Sequence, residues 1–273
     1  MRVITLTDRD RIRGFLLTDR FFADYALGDL DPAHFPLTEW FGAEEDGGLC
    51  AVAMLYHDLA PSIFFATGAA RGIAAMLDRA VDLPEIGISI REEHLPIVEK
   101  FYRAEPIPML KMALVSGDFQ PISESRLQPE TKQPSSAYRL KPPILRKLNV
   151  SHMPQLAELY SHGGGDAFRQ RSLEQGVFYG IFDSGRLVSV AGTHIVSEWE
   201  RVAALGNVMT HPDYRGRGLA TIATSAVCEE LLDRDIELIG LSVGRSNEAA
   251  IHVYEKIGFK RYVAFYEGTA IRK

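Results

Sequence analysis

Apolar and polar positions alternate most regularly in the second half of the chain. Residues 144–149 read as a short strand. Ser151 then stands as an N-cap before HMPQLAELYSH, an amphipathic helix that ends near Gly163, Gly164 and Gly165. A second helical stretch over residues 166–175 stops at Gly176. VFYGIF alternates as a strand, Asp183-Ser184-Gly185 turns the chain, and RLVSVAGTHIVSE returns as its hairpin partner. ERVAALGNVMTH predicts the next strand, residues 219–232 a helix and IELIGLSVG a strand. NEAAIHVYEKIGF follows as a helix closed by Gly258, a C′ glycine, and RYVAFYEGTAI as a final strand. The order β-α-α-β-β-β-α-β-α-β predicts an α/β fold of the α+β kind, with helices on a mixed sheet.

The first half echoes that order more faintly. VITLT reads as a strand and residues 8–30 as helical. TEWFGAEEDG and GLCAVAMLYH are strands around an Asp-Gly-Gly turn. Residues 62–67 form a further strand, 70–80 a helix, EIGISI a strand, 92–103 a helix and MLKMALVSG a strand. Between the halves, residues 120–143 hold five prolines among many polar residues and have neither period, which predicts a linker. The expected division is therefore 1–119, a linker at 120–143, and 144–273.

Composition narrows the class. No apolar run approaches the ~18 residues of a membrane span, and MRVITLTDRDRIRGF lacks the apolar core of a signal peptide. Two cysteines far apart, Cys50 and Cys228, make a disulfide framework unexpected and fit a reducing cytoplasm. Residues 1–143 carry 15 Lys and Arg against 21 Asp and Glu, whereas the remainder carries 15 of each. The excess acid argues against a nucleic-acid partner, which needs a basic face, and suits a cationic one. The eight histidines show no metal-ligand spacing, so no metal is expected. His162-Gly163-Gly164-Gly165 resembles an esterase oxyanion loop, but the chain has no G-x-S-x-G.

The most informative stretch is NVMTHPDYRGRGLATIATSAVCEELL. A strand hands over to a helix through Arg215-Gly216-Arg217-Gly218. The first amides of a helix have no internal partners, and the helix dipole adds about 0.3–1 kcal/mol for a nearby anion. Glycines let the backbone approach a ligand closely. Strand, glycine loop and helix together predict a cradle for a pyrophosphate. The sequence contains no G-x-x-x-x-G-K-[ST].

With these residues in place, the second half resembles the GNAT family, the Gcn5-related N-acetyltransferases. VMTHPDYRGRGLA is similar to that family's strand, loop and R-x-x-G-x-A signature. LSVGRSNEAAIHVYEKIGF is similar to its later strand and helix, read as V-x-x-x-N-x-x-A-x-x-x-Y-x-x-x-G-F. The resemblance covers about residues 144–267. It is weak over residues 1–120, where SIFFATG runs into AARGIAAM without the signature, so the chain looks like a tandem GNAT protein with a degenerate first half.

The resemblance implies acetyl-CoA as co-substrate, with its pyrophosphate on the backbone of Arg215, Gly216, Arg217, Gly218, Leu219 and Ala220. The strand residues Val208, Met209 and Thr210 would hold the pantetheine arm and polarise the acetyl carbonyl. Asn247 would bond the same arm, and Tyr254, seven positions on and so on the same helix face, would be the general acid for the departing thiolate. The implied reaction is direct attack by a primary amine of a small, cationic molecule. Glu198, Glu200 and His194 are candidates for the base, because Asn207 stands near where relatives carry an acidic one. The first half would shape the acceptor cleft or a homodimer surface. The competing readings are a non-catalytic acyl-CoA-binding or regulatory module and an acyltransferase with a different donor.

Overall fold

The structure, a computed structural model, describes residues 1–127, 142–164 and 168–273. Most of the expected linker (residues 128–141) lies outside the described residues, as do Gly165 and Asp166, where the third loop glycine and the start of a helix were expected. The first half runs β1 (Arg2–Leu6), α1 (Arg9–Leu16), α2 (Asp24–Gly28), β2 (Thr38–Glu45), β3 (Gly48–Tyr56) and β4 (Ile63–Gly68). It continues with α3 (Ala70–Arg79), β5 (Glu85–Arg91), α4 (Leu95–Phe101) and β6 (Tyr102–Val115). The second half runs β7 (Ile144–Lys147), α5 (Met153–Tyr160), α6 (Gln170–Gln175), β8 (Tyr179–Asp183), β9 (Arg186–Ser197) and β10 (Val202–Thr210). It ends with α7 (Leu219–Asp233), β11 (Leu238–Gly244), α8 (Glu248–Ile257) and β12 (Lys260–Arg272). Among the described residues both halves have the same order of strands and helices, as the faint echo in sequence suggested.

Three local expectations change. The helix expected over residues 8–30 is two helices, with residues 17–23 between them as a single 3-10 turn and irregular chain. The strand MLKMALVSG begins earlier, at Tyr102, directly after α4. Asn149, rather than Ser151, caps the helix entry, its side chain accepting from the Ser151 amide at 3.0 Å.

The chain forms two compact units. The first comprises Met1–Met112, Ser242–Asn247 and Arg261–Lys273. The second comprises Ala113–Leu241 and Glu248–Lys260. This differs from a division at residues 120–143, because the last strand and the end of β11 group with the first unit.

In the first unit the sheet order is β1-β2-β3-β4-β5-β12-β6. β4 and β5 are parallel, from Ile63↔Gly87 to Ala66↔Ile90, with α3 as the crossover. Ile73, Met76 and Leu77 of α3, at helical spacing, are fully buried with Phe64, Ile86, Ile88 and Ile90. β12 pairs antiparallel with β5, from Phe265↔Arg91 to Ile271↔Glu85. There it covers an edge that β5 would otherwise leave open and buries Phe265 and Ala270 completely.

In the second unit the order is β11-β10-β9-β8-β7. α7 packs on β8, β9 and β10, burying Leu219, Ile222, Ala223, Val227, Cys228 and Leu231 at steps of three and four. Leu156 and Leu159 of α5 and Leu173 of α6 pack with Phe178, Val190 and Met209. α7 is the crossover between β10 and β11, which are parallel. A right-handed β-α-β unit of this kind places the start of its helix at the end of the first strand, and that junction is the candidate site.

Candidate functional site

β10 leaves its neighbours where the chemistry was expected. Its parallel ladder with β11 runs from Val202↔Leu238 to Leu205↔Leu241 and ends there, while β10 continues to Thr210. On the other side, Gly206↔Gly192 is followed by Met209↔Val190. Asn207 and Val208 thus face the single residue Ala191, which is a β-bulge. Asn207 sits at φ 55°, a left-handed conformation that asparagine tolerates better than most residues. The Tyr160 hydroxyl donates to the Asn207 carbonyl at 2.8 Å. Asn207 Nδ2 is 3.5 Å from His194 Nδ1. The His194 ring lies over Gly206 so closely that a Cβ there would be 1.8 Å from Nε2. Val208 has no register partner on β9 or β11, so the bulge leaves it outside both ladders.

Met209 and Thr210, expected beside Val208, are more tightly engaged. Met209 packs its side chain in the core, and its carbonyl accepts from Ser189 Oγ at 3.2 Å. Thr210 Oγ1 is 2.8 Å from Ser189 Oγ, and its carbonyl accepts from Arg215 Nε at 3.3 Å.

The loop beyond is braced by side chains. Buried His211 donates its amide to the Val188 carbonyl at 2.9 Å, and its Nδ1 accepts from the Asp213 amide at 3.3 Å. Its ring packs edge-on against His162 at 4.3 Å. Arg217 lies over the Tyr214 ring and donates to the Asp213 carbonyl at 2.8 Å. The Arg215 amide donates to Pro212 at 3.3 Å, so it leaves the set of free donors.

From Gly216 through Arg217, Gly218, Leu219 and Ala220, the amides donate to no acceptor among the described residues. The first helical bond that closes onto the loop is from Ile222 to the Gly218 carbonyl, and α7 has no side-chain N-cap. Gly216 and Gly218 have φ of 76° and 75°, which a side chain would strain, and open space stands where their Cβ atoms would be. Five donors therefore converge at the positive end of a 15-residue helix.

Tyr254 lies on α8, which packs on α7. It is 8% exposed, with its ring edge-on to Phe259. Burial, with a smaller effect from Cys228, pushes its phenol up to about 12, and its hydroxyl has no hydrogen-bond partner among the described residues. Asn247 precedes α8 with its amide on the Gly244 carbonyl at 2.8 Å. It groups with the first unit.

The three base candidates separate. Glu198 and Glu200 lie in the turn joining β9 to β10, whose ladder begins at Ser197↔Val202. Val208 is six residues further along, roughly 20 Å at ~3.3 Å per residue. The turn is thus at the wrong end of the strand, and Glu198 is 3.8 Å from Arg234 there. Only His194 is beside the bulge.

The equivalent junction of the first unit has no such cradle. β4 ends at Gly68 and passes to α3 through Ala69 alone. The Ala69 amide donates to Cys50 at 2.7 Å and the Gly72 amide to Ala69 at 2.8 Å. A Cβ on Gly68 would be 2.5 Å from the Cys50 carbonyl oxygen. Among the described residues no group of His, Cys, Asp and Glu could hold a metal ion, and no helix is long and apolar enough to cross a membrane.

Residues 145–259 match the Acetyltransferase (GNAT) family model. Mycothiol acetyltransferase of Tsukamurella paurometabola is 33% identical over 84 residues, which are 30% of this chain and 29% of that protein. The [ribosomal protein bS18]-alanine N-acetyltransferase of Escherichia coli is 30% identical over 92 residues, 34% of this chain and 60% of that protein. The chain thus spans less than two thirds of these relatives. A tandem GNAT protein from the clavulanic acid biosynthesis pathway shares the fold with a TM-score of 0.58 at 14% identity, covering 99% of this chain and 98% of that one.

Proposed function

From the match of residues 145–259 to the GNAT acetyltransferase family, we propose that the chain is an acetyl-CoA-dependent N-acetyltransferase. It moves an acetyl group to a primary amine by direct attack, with donor and acceptor held together. One observation carries this reading: the five free amides of residues 216–220 stand at the start of α7, one short loop beyond the strand that the bulge at Asn207 interrupts. The set fits a diphosphate, since the donors are backbone, the space before Gly216 and Gly218 is open, and exposed Arg215 and Arg217 add positive charge. Both relatives are named acetyltransferases, and one is an alanine N-acetyltransferase, which supports an amine acceptor.

When bound, acetyl-CoA supplies an activated acyl thioester. The chain's residues then have separate tasks. The amides of Gly216, Arg217, Gly218, Leu219 and Ala220 hold the diphosphate. The backbone of Val208 is the donor for the acyl oxygen, a role worth about 3–4 kcal/mol where a comparable donor has been removed. Holding two reactants in place lowers the barrier further by removing the entropy of encounter. His194, next to the bulge, takes the ammonium proton of the acceptor directly or through water. This replaces the acidic group that Asn207 cannot provide.

Tyr254 keeps its proton at every physiological pH because its pKa is about 12. Full transfer from such a phenol to a thiolate of pKa ~8.5 is uphill by roughly 5 kcal/mol. Its role is therefore better described as hydrogen-bond donor to the departing sulfur than as the final source of the proton. No role is assigned to Asn247, which groups with the first unit.

Thiol-release kinetics with acetyl-CoA against a panel of primary amines test the proposal. Amine-dependent release of CoA supports it. Tight coenzyme binding without release for any amine would point instead to a regulatory module, and turnover with only longer acyl thioesters to a different donor.

A further inference from the structure

The first unit buries a charged cluster that the acetyl-transfer reading does not use. Asp24 opens α2 and is 0% exposed, and Lys111 of β6 is 3% exposed. They form an ion pair of 2.6 Å between Asp24 Oδ1 and Lys111 Nζ. The same Oδ1 accepts the Tyr25 amide at 2.9 Å. Asp24 Oδ2 is buried and has no hydrogen-bond partner. Lys111 Nζ is 3.4 Å from Ser242 Oγ and 4.4 Å from the centre of the Tyr25 ring. Glu267 of β12 accepts from Ser242 and faces both Lys111 and Asp24. Tyr25, Ser242 and Glu267 are partly exposed residues, so they form the outer side of the cluster, and fully buried Asp24 and Lys111 form its floor.

This arrangement is poor as a purely structural ion pair. A buried pair offsets its desolvation only when the remaining lone pairs find donors, and a buried acceptor left unpaired costs about 1–3 kcal/mol. Here two carboxylates face one ammonium, and one carboxylate oxygen has nothing to accept. What the cluster lacks is one positive charge with N–H donors.

We propose that Asp24, Glu267 and Ser242, over Lys111 and Tyr25, form a binding site for an alkylammonium group in the first unit. The guest's N–H groups satisfy Asp24 Oδ2 and Glu267, and its charge balances the second carboxylate. Burial raises the pKa of both carboxyls despite Lys111, and the neighbouring Asp24 adds a smaller upward push on Glu267. A cation binds their ionised forms, so affinity is full above the raised pKa values and is lost as pH falls through them. The groups facing these carboxyls are Lys111 from β6, Tyr25 from α2 and Ser242 from β11. The site uses only first-unit residues, and its occupancy does not depend on whether the second unit transfers acetyl groups.

Isothermal titration of the full chain with n-butylammonium chloride, at fixed ionic strength and without coenzyme, tests it. n-Butanol serves as the uncharged control. Saturable binding of the ammonium alone is expected, weakened about tenfold or more in Glu267→Gln, which keeps the side chain's size at the half-exposed rim. Asp24→Asn paired with Lys111→Met removes the buried ion pair as a unit and leaves Glu267 as the one charge of the cluster; binding is abolished while far-UV circular dichroism stays native. Absence of saturable heat, equal binding of n-butanol, or unchanged affinity in folded Glu267→Gln would overturn the proposal and leave an internal water as the partner of Asp24. Binding without thiol release would sustain this site and sink the transferase reading. Thiol release from an amine panel without such binding would do the reverse.

Discussion

Tyr160 donates its hydroxyl to the carbonyl of Asn207 across 2.8 Å, joining α5 to the one residue of β10 whose backbone is left-handed. Removing the hydroxyl leaves a largely buried carbonyl without a donor, at a cost of about 1–3 kcal/mol. Tyr160→Phe is expected to lower the urea midpoint accordingly. It should also lower kcat, because the bulge that exposes the Val208 backbone loses its brace. Urea titration and steady-state kinetics on the same preparation measure both. Lost stability with wild-type kcat would dissociate the bulge from catalysis.

Gly206→Ala tests His194 by displacement. The added Cβ would overlap the imidazole of His194, an exposed side chain that can swing away. Thermal stability should change little, while kcat/KM falls about as far as in His194→Gln, within the ~10²–10⁴-fold range of a lost general base. A Gly206→Ala enzyme of full activity would remove His194 from the mechanism.

Tyr254→Phe should preserve coenzyme affinity and reduce kcat. In the wild type, the donor form of the phenol is present below a pKa of about 12 and is lost only as pH rises through it. The pH–rate profile should therefore show no alkaline fall attributable to this group up to about pH 11. A fall centred between pH 9 and 10 that disappears in Tyr254→Phe would contradict the buried, unpartnered setting of this hydroxyl.

Gly192→Ala is a structural control away from the loop. Its Cβ would meet the Phe178 ring at 2.2 Å, and Phe178 is fully buried. Overpacking of this kind costs about 1–3 kcal/mol, so the melting temperature should drop with coenzyme affinity intact.

The order of strands and helices was legible because period-two and period-3.6 patterns are punctuated by glycines with positive φ, such as Gly185 and Gly258. Gly216 and Gly218 announced the loop for the same reason. The bulge was not legible, since Asn207 in the middle of an apolar strand has no pattern that marks a left-handed residue. The grouping of β12 with the first unit was also hidden. Its alternating residues suit any half-buried edge, and only partner geometry selects β5. Nothing in the sequence marks Asp24 and Lys111, because burial of an ion pair depends on contacts 87 positions apart in the chain. Glu198 and Glu200 were close to the site in sequence but at the far end of the strand, a distance the hairpin register alone reveals.

The seat for the diphosphate is tested most directly by calorimetric titration of CoA into the wild type and into Gly218→Val, whose side chain strains the φ of 75° that opens α7. Saturable binding to the wild type, weakened at least tenfold in a Gly218→Val protein that melts cooperatively, is the expected result. No heat of binding to the folded wild type, or equal affinity in both proteins, would contradict it.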